Sequence, residues 1–138
     1  MQVTAKRFQI LFEEIYIYYM PDKTIADFLA GKSQHTIELF DHFIEVYNTI
    51  GLIELHAAKT MIGISNSHKR IAWITQLGKN FIHIVFPFKE PHADNLCFVK
   101  IAQVPGDNKQ FNHHFRMLYK TDINDEVMHY MKLAYDEL

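Results

Sequence analysis

A chain of 138 residues with 49% hydrophobic and 14% aromatic content can bury one packed core, which excludes a disordered polymer. Its net charge of -2 and isoelectric point near 6.5 exclude a generally basic nucleic-acid or membrane-surface binder, while leaving room for a local basic face. The single cysteine, Cys97, excludes an internal disulfide and a cysteine-rich zinc module, and fits a reducing cytoplasm.

At the N-terminus, Phe8, Leu11, Phe12, Ile15 and Tyr19 recur at helical spacing, predicting an amphipathic helix over residues 4–19 that Pro21 stops. A strand is the alternative there, because Ile15 to Tyr19 are β-branched or aromatic. Glu13 and Glu14 interrupt the apolar run, and it is too short to span a bilayer. The expectation is a soluble cytoplasmic protein with no membrane partner. Glu13-Glu14 reads as a solvated helix edge.

A short helix follows over Thr24–Leu29, ended by Gly31. Ser33 or Thr36 caps the next, whose apolar face is Ile37, Phe40, Phe43, Ile44 and Tyr47 and which ends before Gly51. The period then changes to that of strands, expected at Leu52–His56, Lys59–Ile64, Arg70–Leu77, Phe81–Phe88, Leu96–Val104 and Phe111–Leu118. Ser65-Asn66-Ser67-His68 and Gly78-Lys79-Asn80 are short enough for hairpins, so the central strands form an antiparallel meander. Pro87, Pro91 and Pro105-Gly106-Asp107 mark longer loops at sheet ends. Asp122 and Asp125 open a last helix with the stripe Ile123, Val127, Tyr130, Met131 and Ala134. The class is α+β: one domain over residues 1–138, with an antiparallel sheet of about five or six strands between N-terminal helices and a C-terminal helix.

Alternation assigns faces. Along Arg70–Leu77 it puts Ile71, Trp73, Thr75 and Leu77 on one side and Arg70, Ala72, Ile74 and Gln76 on the other. Along Phe81–Phe88, Phe81, His83 and Val85 oppose Ile82, Ile84, Phe86 and Phe88, so both faces need cover, one of them from a helix, a loop or a second subunit. In Asn112–Met117 the two histidines part: His113 lies with Phe111, Phe115 and Met117, and His114 with Asn112, Arg116 and Leu118. His113 is then a buried imidazole hydrogen-bonded to a neighbour. His114 and Arg116, two apart on one face, are within reach of a shared anion.

Adjacent histidines on a regular strand cannot point at one ion, so no metal site is expected. Asp41-His42 and Pro91-His92-Ala93-Asp94 read as exposed polar positions, and Cys97 as a buried, inert thiol. The glycines are scattered singly, which removes a phosphate-binding loop and with it nucleotide hydrolysis; no cofactor is implied. Lys59 and Lys100 are isolated cations among apolar strand residues, where an unpaired charge is costly. With His114 and Arg116 they make the candidate ligand-binding set; the alternative is that each reaches solvent or pairs with Glu54 and Asp94.

The residues Asp27-Phe28-Leu29-Ala30-Gly31-Lys32, Glu38-Leu39-Phe40, Gly51, Glu54, Lys59-Thr60-Met61-Ile62, Gln103-Val104, His113-His114-Phe115-Arg116 and Ala134-Tyr135 resemble a small bacterial family labelled as a domain of unknown function, number 5655. The resemblance covers about residues 24–138 and leaves 1–23 as an N-terminal extension. It implies a short stand-alone or appended domain and carries no catalytic assignment; family members beside nuclease modules owe that activity to the neighbouring domain.

Three functions are compatible with this pattern. The first is a non-enzymatic module whose basic sheet face binds a small anionic ligand or a protein partner, with nucleic acid ranked behind these. The second is a small enzyme using His114 as general acid or base, with Arg116 or Lys59 stabilising negative charge. The third is a homodimeric interaction protein, motivated by the two-sided Phe81–Phe88 segment.

Overall fold

Each helix begins where a polar side chain can satisfy free backbone donors. In the computed structural model, which describes residues 23–137, Thr24 and Asp27 form a reciprocal capping box at 3.1 and 3.0 Å and start α1 (Ile25–Leu29). The expected N-terminal helix and Glu13-Glu14 lie outside the described residues. Gly31, at φ +73°, makes the left-handed turn into α2 (Gln34–Ile50). Ser33 is its cap, accepting from the Thr36 amide at 3.1 Å. Thr36, the alternative cap, is buried, and its hydroxyl donates to the Gly78 carbonyl at 2.5 Å. The Ser33 hydroxyl donates to the Lys79 carbonyl. The start of α2 is thus tied to a sheet turn. That tie rolls the buried stripe to Thr36, Leu39, Phe40, Phe43 and Tyr47, leaving Ile37 and Ile44 half-buried at its margin.

The strands are β1 (Glu54–Ala57), β2 (Ile62–Ser65), β3 (Arg70–Leu77), β4 (Ile82–Phe88), β5 (Lys100–Gln103) and β6 (Phe111–Met117). They make one antiparallel sheet in the order β1-β2-β3-β4-β6-β5. The first four are the expected meander. The chain then inserts β6 beside β4 and leaves β5 at the edge. A 3₁₀ turn, Lys120–Asp122, leads to α3 (Asp125–Asp136). Asn124, not Asp122, caps α3, its side-chain oxygen accepting from the Val127 amide at 2.9 Å. Asp122 instead accepts from the amides of Leu118 and Tyr119 at 2.7 and 2.9 Å, closing the turn after β6.

Helices α2 and α3 cover one sheet face. Phe43 and Tyr47 of α2 and Val127, Tyr130 and Met131 of α3 join Ile62, Ile74, Ile84, Phe86, Phe115 and Met117 in a single core. Two phenols fasten the layer: Tyr47 donates to the Met131 carbonyl and Tyr135 to the Leu52 carbonyl, both at 3.0 Å. The Tyr135 ring lies so close to Gly51 that a Cβ there would stand 2.3 Å from it.

Strict alternation fails in β3. The register shifts between Ile64 and Ser65 on β2, and again between Ile74 and Gln76 on β3. Ile71, Ala72, Ile74 and Leu77 consequently all join the core, although alternation assigns them to opposite faces. Trp73 and Arg70, also expected on opposite faces, come together, with the guanidinium carbon 4.6 Å from the ring centroid.

Candidate functional site: the open sheet face

The face turned away from the helices is built by cross-strand register. Gly63, Trp73, Val85, His114 and Lys100 are successive partners across β2, β3, β4, β6 and β5, and Gln76, His83 and Arg116 form the next row. Val85 is only 5% exposed yet stands outside the core cluster, flanked by Trp73 and His114 in its own row. The face therefore has a small packed floor of its own. Arg116 lies over the Phe81 ring at 4.2 Å, which leaves its charge at the surface. Arg70, Lys100 and Arg116 have no carboxylate partner among the described residues.

His83 Nε2 and His114 Nδ1 are 2.9 Å apart. One ring must donate and the other accept, so the bonded pair holds at most one extra proton. Burial lowers the pKa of both; the Arg116 and Lys100 charges lower His83 further, and His83 and Lys100 do the same for His114. Their remaining ring nitrogens have no hydrogen-bond partner among the described residues. The face can thus offer cations, a shared imidazole proton and an aromatic ring to a ligand.

Of the four residues singled out from the sequence, three converge. Lys100 and His114 are direct cross-strand partners, and Arg116 is two residues along β6. Lys59 is exposed in the β1–β2 turn, at the opposite edge of the sheet, roughly 20 Å of strand spacing from β5. His83 and Arg70 complete the face. The phase of His83 was legible, but its partnership with β6 depends on a strand order no local pattern encodes. Arg70 reaches the face only through a bulge.

The covered side resolves the other histidine. His113 is fully buried; its Nδ1–H donates to the Phe111 carbonyl at 2.8 Å and its Nε2 accepts from the His92 amide at 3.1 Å. That pattern defines a neutral tautomer, and burial lowers the pKa. His92, expected as an exposed polar position, is half-buried, its ring 5.3 Å from that of His113 and 4.8 Å from that of Phe88. Its Nε2 is buried without a hydrogen-bond partner among the described residues. Cys97 is half-buried rather than buried, and its thiol is pushed up to about 12 by burial and then by Glu126, so it is inert as a nucleophile. Among the described residues no group of three or more His, Cys, Asp or Glu could hold a metal ion, and no helix is long and apolar enough to cross a membrane.

Comparison with known proteins gives no match to a family model, a curated protein or a solved structure.

Proposed function

We propose that the chain is a binding module that takes an anionic ligand on the open sheet face. The observation that supports this most is the set Arg70, Lys100, Arg116 and the His83–His114 pair on one side of the sheet, with no carboxylate engaging any of the three cations among the described residues. Clustered unneutralised cations repel one another and favour a bound anion. Calorimetric titration with inorganic tripolyphosphate tests the reading. Binding should weaken about three- to fivefold in Lys100→Ala and in Arg116→Ala, and should fall as salt is raised. Equal, negligible binding by wild type and both variants rejects it.

The His83–His114 hydrogen bond favours a second reading, a small enzyme in which His114 moves a proton and Arg116 steadies negative charge. In place of the carboxylate that commonly orients a catalytic imidazole stands a second imidazole, His83. Full retention of activity in His114→Ala across a phosphoester and ester panel would exclude it.

A further inference from the structure

One end of the open face deepens into a groove of about 860 Å³ between Trp73 and the β5–β6 turn. Lys69, Arg70, Lys89, Lys109, Trp73 and Pro87 line it, and Asp107 is the one carboxylate among the described residues of the lining. The Asp107 side chain already accepts the Lys109 amide at 2.8 Å, holding the turn that presents Lys109. Gly106, at φ +80°, makes the left-handed step in that turn. On the opposite wall, Asn66 accepts the amides of His68 and Lys69 at 2.8 Å each, while its own amide donates to the Tyr135 carbonyl at 2.7 Å. Both lysine-bearing turns are therefore fixed before any ligand arrives.

The floor is a π surface. Arg70 stacks on Trp73, and its Nη1 is buried against Gly63 with no acceptor among the described residues. Burial depresses the Lys69 pKa, with Glu137 opposing and Lys89 adding to the shift. An inorganic anion would use the cations but not the ring, and an apolar ligand the ring but not the cations.

We propose that this groove is a subsite for a nucleobase-bearing phosphate, with the base laid against the Arg70–Trp73 stack and the phosphate held by Lys69 and Lys109. The proposal rests on the anion-binding reading and adds the base. A free nucleotide and a single-stranded nucleic acid share this chemistry; both present a stackable base joined to phosphate.

Trp73 is the chain's only tryptophan, so its fluorescence reports the groove directly. Uridine triphosphate should quench it and bind about tenfold tighter than tripolyphosphate, the difference being the stacking contribution. Trp73→Ala should abolish that difference in calorimetry. Arg70→Lys, which keeps the charge and loses the plane, should shrink it. A short oligouridylate that binds tighter than the triphosphate identifies a strand as the source, and one that binds more weakly identifies a free nucleotide. If tripolyphosphate binds and uridine triphosphate is no tighter, or both variants keep the full difference, the base subsite is overturned while anion binding stands. If neither ligand binds, both readings fall.

Discussion

His113 and His114 are neighbours in the chain and occupy opposite worlds. His113 points into the helix-covered side, with both ring nitrogens committed to backbone partners and aromatic rings packed around it. His114 points to the open side, hydrogen-bonded to another imidazole and in register with Lys100. The pleat of one strand makes the distinction. A buried imidazole whose two nitrogens are matched is a structural pin; an imidazole sharing a proton beside unneutralised cations is available for a ligand.

The contrast breaks most directly by truncation. His113→Ala removes a packed ring and leaves the His92 amide without its acceptor, so a loss of about 2–4 kcal/mol is expected in urea unfolding. His114→Ala should cost less than about 1 kcal/mol, because its ring is half-exposed and its partner is another half-exposed side chain. Equal losses in the two variants would erase the distinction between the faces.

Acid tests the same pair. His83, His113 and His114 all have folded-state pKa values below the ordinary 6.5, so between those values and 6.5 the unfolded chain binds protons that the folded chain refuses. The stability they contribute is full above pH 6.5 and is lost as pH falls from 6.5 through the folded-state values. Protonating His113 Nε2 would also turn the acceptor of the His92 amide into a competing donor. Urea midpoints across this range should drop on the acid side, and the drop should be smaller in His113→Ala. An unchanged drop in that variant would move the effect to other groups.

The smallest effect belongs to the open face. In Gly63→Ala the new Cβ would stand 1.8 Å from Arg70 Nη1, so the guanidinium must swing off Trp73 while the backbone stays in place. A shifted tryptophan emission and severalfold weaker uridine triphosphate binding are expected, with stability changed by less than about 1 kcal/mol. Unaltered emission would show that Arg70 does not set the ring's environment.

Much of the fold was written locally. Strand period, Ser33 at a helix start and the Gly78 turn act over a few residues, so six strands and the helices of residues 24–136 are legible in place and order, although the strand expected at Leu96–Val104 forms only at Lys100–Gln103 and the one expected at Lys59–Ile64 begins at Ile62. What misled was also local: alternation in β3 assigned Arg70 and Trp73 to opposite faces, because a bulge changes the phase without any residue type that announces it. Lys59 and Lys100 look alike in charge and apolar context, and only strand order separates them.

An α+β domain, the parting of the two histidines of β6 and the shared side of His114 and Arg116 are all encoded locally in the chain. Those outcomes follow from the fixed geometry of a strand and from helix capping, which need only near neighbours. The tertiary structure alone decided that β6 lies beside β4, which joins His114 to His83, and that Arg70 covers Trp73 above Gly63. Strand order and bulges are settled by how the whole sheet buries its apolar face against α2 and α3, a condition that spans the chain and leaves no mark on any one segment.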